Sequence, residues 1–119
     1  MNIKHLCLIA GLLGLPVANA NAGEITINVP VELTNVPAAN LQVRVVCMTG
    51  VGDGVSMVNR DIGHADINVP ENRNYRGVES IRVTASKVDA ATHYWCYLVA
   101  ASGQPVLPRQ NEAKGVISR

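Results

Sequence analysis

The stretch Glu24–Leu33, EITINVPVEL, sets the terms for the fold. Ile25, Ile27, Val29, Val31 and Leu33 alternate with Glu24, Thr26, Asn28, Pro30 and Glu32. Side chains on a strand point alternately to opposite faces, so a period of two gives one apolar and one polar face. A helix would instead need apolar residues three and four apart. Pro30 has no N–H to give to a ladder and predicts an edge position or a break. The same period recurs along the chain. In LQVRVVCM, Leu41, Val43, Val45 and Cys47 share one face and Gln42 and Arg44 the other. In GHADINVP, Ala65, Ile67 and Val69 alternate with His64, Asp66 and Asn68. In VESIRVTAS, Ile81, Val83 and Ala85 oppose Arg82, Thr84 and Ser86. HYWCYLVAA reads as another strand, VSMVN as a short one, GQPVLPRQ as a proline-marked edge strand and EAKGVISR as a tail or short final strand. Gly, Pro and Asn clusters separate these runs, and no long amphipathic helix pattern is present. The expectation is an all-β chain: a small antiparallel β-sandwich, with a partly open barrel as the alternative.

The first residues read as an address. MNIKH carries Lys4, LCLIAGLLGLPV (residues 6–17) is an apolar run of signal-peptide length, and ANANA offers cleavage after Ala20 or Ala22. Charge, apolar run and small-x-small site come in the order of an export signal. Cys7 sits at the start of the run rather than at its end, so it is expected to leave with the signal and not to carry a lipid. Residues 1–22 are therefore expected to be a cleavable signal peptide and residues 23–119 a single domain, exported to the periplasm or outside the cell. No second long apolar segment follows, so no stable membrane insertion is expected after cleavage. Of ten Lys and Arg, one, Lys4, lies in the leader; nine remain against nine Asp and Glu. A formally neutral chain has no electrostatic footprint for nucleic acid.

Removing Cys7 leaves two of the three cysteines, Cys47 and Cys96. An even pair in an exported chain predicts a disulfide. The chain needs one: it has no Phe, and its apolar residues are led by Val and Ala. Closing a loop of that length contributes about 4 kcal/mol in the chain-entropy model.

THYWCYL, Thr92–Leu98, holds three of the four aromatic residues, since only Tyr75 lies elsewhere. If Cys96 faces the core, so do Tyr94, Leu98 and Ala100. The two cysteines, with a tyrosine two residues before the second, resemble the immunoglobulin sandwich. In that family a disulfide joins facing strands of the two sheets and the tyrosine anchors a corner. The resemblance implies an immunoglobulin-like architecture with one inter-sheet disulfide. It does not extend to the family's functions: Asp89 stands seven rather than six residues before Cys96, and the only tryptophan is Trp95, not a residue of the strand after the first cysteine.

The opposite parity is the candidate contact face: His93, Trp95, Tyr97 and Val99 project outward. Outer-face aromatics can pack beneath a neighbouring segment, stabilise a sheet, or supply a recognition surface with large contact area at small entropic cost.

Chemistry is sparse elsewhere. His64 and Asp66 alternate on one strand face and are the weak metal candidates, joined by Asp61 and His93 only if folding brings them close. A structural metal site needs four ligands at tight spacing, and a solvated strand face explains His-x-Asp as well. The glycines of TGVGDGVS lack the Lys-Ser/Thr and helix of a phosphate loop and read as a strand connection. No serine sits in a nucleophile elbow, and both remaining cysteines are committed to each other. The chain is thus expected to be non-enzymatic, with no cofactor, and to bind an unidentified protein or glycan through a sheet face or edge. A second reading starts from ITINVPVEL, which resembles the N-terminal donor segment of chaperone–usher pilins. That resemblance implies a subunit of a surface assembly that completes a neighbour's sheet by strand addition. The chain departs from the pilin pattern at its end, GVISR, which lacks an aromatic-rich final strand.

Overall fold

A computed structural model describes residues 9–12, 16–34, 36, 42–84, 89–100 and 112–118. Lys4, Cys7, Leu41, Ala85, Ser86 and the segment GQPVLPRQ, on which expectations rest, lie outside the described residues. Eight strands appear among the described residues: β1 (Ile9–Leu12), β2 (Val17–Asn21), β3 (Glu24–Thr34), β4 (Gln42–Val51), β5 (Val58–Asn68), β6 (Tyr75–Thr84), β7 (His93–Ala100) and β8 (Glu112–Val116). They form two antiparallel sheets. One centres on β3, with β6 along one edge and β1 and β2 in succession along the other; the second has the order β5-β4-β7-β8.

The alternation in EITINVPVEL survives intact. β3 buries Ile25, Ile27, Val29, Val31 and Leu33, none more than 1 % exposed, and leaves the residues between them half-buried. Across the sandwich these meet Val43, Val45 and Cys47 of β4, Ile67 of β5, and Tyr94, Cys96 and Leu98 of β7. Ile81 and Val83 of β6 and Ala18 of β2 complete the core. A core of branched aliphatics suits paired strands, because β-branched side chains pack well on a pleated surface.

Pro30 is not at an edge. β6 pairs it through Val78, in a register that runs unbroken from Glu24↔Thr84 to Leu33↔Tyr75. On the other side, among the described residues, β2 pairs residues 24–28 and β1 pairs residues 31–34.

Some boundaries differ from the sequence reading. VSMVN is not a strand of its own. Gly54–Ser56 form a short 3-10 turn, and β5 runs unbroken from Val58 to Asn68. β6 begins at Tyr75, ahead of the run VESIRVTAS, because β3 offers a full-length partner. EAKGV is a strand, paired with β7.

The disulfide is present, but it does not join the two sheets. β4 and β7 are neighbours in one sheet, and their register sets Cys47 directly opposite Cys96. Their Cα atoms are 4.1 Å apart, as in the narrow, non-hydrogen-bonded class of antiparallel pair. The inter-sheet placement implied by the immunoglobulin resemblance is therefore corrected. The side chains do point inward, both fully buried, but they link neighbouring strands rather than facing layers.

The sheets also meet along their sides. At one side β5 passes so close to β6 that a Cβ on Gly63 would lie 2.5 Å from the Arg82 carbonyl oxygen and 3.1 Å from methyls of Ile81 and Val83. At the other, Asn19 of β2 bridges in parallel to Ser118, just beyond β8. The Ala20 N–H donates to the Ser118 carbonyl (3.3 Å) and the Ser118 N–H to the Ala18 carbonyl (3.1 Å). Inward-facing Tyr94 lies over Gly115 and donates its hydroxyl to the Pro16 carbonyl at 3.4 Å, tying the same seam. On β6 the Tyr75 hydroxyl donates to Glu79, and this bond, with the carboxylate's charge, pushes the Tyr75 pKa up to about 12.

Gly63 therefore carries the β5–β6 seam. Gly63→Ala is expected to cost about 1–3 kcal/mol, since the Cβ meets backbone rather than a yielding side chain. Urea unfolding of the oxidised protein measures this; an unchanged midpoint would mean that the seam is open in solution.

Candidate functional site

The outer face of the cysteine sheet is built from the residues of β4, β5, β7 and β8 that alternate with the core. The register lays them in rows across the strands. Asp66, Arg44 and Val99 form one row; His64, Val46, Tyr97 and Glu112 the next; Ile62, Met48, Trp95 and Lys114 the third. In the last row, Gly50 lies beside His93 and His93 beside Val116.

The four expected contact residues share this face. His93, Trp95, Tyr97 and Val99 are half-buried, while Tyr94, Cys96 and Leu98 between them are buried. The parity follows from the staple: once Cys96 points inward, its neighbours point out.

Trp95 sits at the centre of a small network. Its ring meets Tyr97 edge-on, with centroids 6.4 Å apart at 64°. The Lys114 ammonium lies 4.8 Å from the Trp95 ring centroid. The indole N–H donates to Glu112 at 3.3 Å, and Glu112 also lies 3.7 Å from Lys114. A cation over a tryptophan face contributes about 0.5–1 kcal/mol at an exposed site, and an exposed ion pair a similar amount or less. These contacts orient the aromatic pair more than they stabilise the fold. Next to Trp95 the strip continues through half-buried Met48 to Ile62, which is 61 % exposed.

The glycine loop closes one end of this face. Met57 is buried above Gly50, where a Cβ would meet its side chain at 2.5 Å. Gly52 and Gly54 hold positive φ values of 96° and 55°, which glycine adopts without strain. Arg60 donates from Nε to the Met57 carbonyl (3.0 Å) and from Nη2 to the Val55 carbonyl (3.4 Å), pinning the loop to β5. At the far end Arg44 and Asp66 pair at 2.8 Å, and the hydrogen bond from Arg44 holds the Asp66 carboxyl below its usual pKa. The pairs Arg44–Asp66 and Lys114–Glu112 are each made within this face, so the apolar strip they flank carries little net charge.

The metal candidates are not drawn together. His64 and Asp66 share the outer face of β5, but Asp66 is engaged with Arg44. Asp61 lies on the inner parity of β5 opposite Thr49, whereas His93 is outward on β7 and contacts the Thr92 hydroxyl through Nδ1 at 2.7 Å. Among the described residues no three His, Cys, Asp or Glu side chains are grouped to hold a metal ion.

Lys114, Glu112, Met48 and Ile62 escaped the sequence reading. Their strands were partly legible, but which residue stands beside Trp95 depends on the registers of β4, β5 and β8, which follow from strand pairing. No family model, curated protein or solved structure matches the chain.

Trp95 is the sole tryptophan, so its fluorescence reports this network alone. Lys114→Ala is expected to raise acrylamide quenching of Trp95 while changing stability by less than about 1 kcal/mol. Unchanged quenching would show that the lysine does not cover the ring in solution.

Proposed function

We propose that this chain is an exported, non-catalytic β-sandwich module that binds a protein or glycan partner, in a bacterial-type envelope or outside the cell, through the outer face of the cysteine sheet. The observation that carries the reading is the aromatic strip: Trp95 and Tyr97 in edge contact, flanked by Met48 and Ile62, on the sheet that holds the disulfide. Aromatic side chains with fixed orientation contribute binding area at little entropic cost, and such residues dominate interface energetics. Because the neighbouring charges are paired internally, the partner surface that fits is uncharged or weakly charged, either an apolar patch of a protein or a neutral sugar face. Export is supported by the order of charge, apolar run and small-x-small site in residues 1–22 and by the Cys47–Cys96 bond, which is compatible with an oxidising compartment.

A second reading, assembly by strand addition, draws on β3. Apart from β6, the described strands that pair β3 come from residues 9–21, within the segment read as the signal peptide.

The first reading is tested by a Trp95→Ser/Tyr97→Thr double variant used as bait against an envelope fraction, beside the wild-type protein. Loss of a partner that the wild type retains, equivalent to about 2 kcal/mol or more, is expected with little change in melting temperature. Equal retention by both baits would contradict a binding role for the face, and a collapse in melting would assign the two aromatics to the fold.

A further inference from the structure

β2 occupies a slot one strand wide. On one side it pairs antiparallel with β3, from Val17↔Asn28 to Asn21↔Glu24; on the other it bridges in parallel to Ser118. Its inward side chains are small. Ala18 stands opposite Ile27 and is 4 % exposed, and Ala20 stands opposite Ile25, packed against the core. Its outward residues, Val17, Asn19 and Asn21, are exposed. The slot thus admits an extended backbone whose alternate side chains are no larger than a methyl group.

The two expected cleavage positions fall at the end of this strand: Ala20 lies inside β2 and Ala22 in the turn to β3. The start of β3 has an anchor of its own. The Gly23 nitrogen lies 2.9 Å from the Asp89 carboxylate, so cleavage after Ala22 would turn this backbone hydrogen bond into an ion pair with the new α-ammonium group. Glu24 is also held, by Arg82 of β6 at 2.7 Å. β3 therefore keeps its position on β6 when β2 is removed, while its other edge and the Ser118 backbone lose their partners.

We propose that the processed module is a strand acceptor: the slot vacated between β3 and Ser118 takes an extended segment of another polypeptide, antiparallel to β3, with Ala or Gly at two alternate inward positions. Unpaired backbone groups on both walls supply the hydrogen bonds, and the small inward space supplies the selectivity. The site is the five-residue stretch Glu24–Asn28 that β2 pairs; the edge at residues 31–34, paired by β1, is vacated by the same cleavage and lies outside it. The edge of a second copy's β3 fits poorly, since it would bring Ile25 and Ile27 where the slot holds alanine. The proposal rests on the export reading and takes the strand-addition reading in the acceptor rather than the donor sense.

The full chain, expressed in a secreting bacterial host, is recovered and its N-terminus read by mass spectrometry. The processed protein is then titrated with the peptide PVANANA, residues 16–22, and with the same peptide carrying Ala18→Phe. Amide hydrogen exchange is followed at Glu24, Thr26, Asn28 and Ser118, whose N–H groups face the slot. The expected N-terminus is Gly23, and the wild-type peptide is expected to slow these amides about tenfold while the Ala18→Phe peptide has little effect. A processed protein whose edge amides do not respond, or respond equally to both peptides, overturns the acceptor slot and leaves the export reading standing. So does a processed protein already protected there as a dimer. A chain recovered with residues 1–20 attached overturns both. If the processed protein aggregates, restoration of solubility by the wild-type peptide alone supports the slot, and failure to restore it counts against the slot.

Discussion

The covalent pairing of Cys47 with Cys96 is the constraint on which the rest of the molecule depends. It locks β4 against β7 in one register, and strand register decides which side chains are inside. A slip of β7 by one residue against β4 would turn Tyr94 and Leu98 outward and drive Trp95 and Tyr97 into the core. The bond closes a separation of 49 residues, worth about 4 kcal/mol by loop-closure entropy, against about 1 kcal/mol or less for each exposed ion pair. In a core without phenylalanine, that difference places the staple first among the individual contributions, with the summed burial of branched aliphatics beneath it.

The other sheet depends on β3, which pairs with β1, β2 and β6 alike. Its inward Ile, Val and Leu residues face the stapled layer, and the two layers draw together at their sides, through Gly63 at one and through Asn19–Ser118 at the other. The seams differ in kind. The Gly63 seam is steric and internal to β5 and β6. The β2 seam is made by backbone hydrogen bonds to a segment with the pattern of an export leader, so the sandwich is closed on one side by residues that processing would remove.

What was legible in the sequence is what period two encodes. The alternation of β3, the inward parity of Cys47 and Cys96, and the outward parity of Trp95 and Tyr97 all follow from side-chain direction along one strand. What was not legible is what lies between strands. The cysteines were expected to join two sheets because a tyrosine two residues before a cysteine resembles the immunoglobulin pattern, yet the chain places the two strands side by side. Pro30 reads as an edge signal, yet β3 is flanked by β6 on one side and by β1 and β2 on the other. Lys114 and Glu112 show no motif of their own and meet Trp95 only because β8 pairs with β7. The strand break at Gly54–Ser56 is a loop wrapped back onto the sheet, and nothing in VSMVN distinguishes that from a short strand.

The claim that a stapled, in-sheet pair sets the faces of the molecule can be read directly by NMR on the oxidised protein. In a non-hydrogen-bonded antiparallel pair the two Hα atoms point toward each other, so a strong Hα–Hα nuclear Overhauser effect between Cys47 and Cys96 is expected, with a second between Val45 and Leu98. Absence of both, or effects that place Cys96 opposite Val46 or Met48, would contradict the register and with it the division into a buried face and an aromatic one.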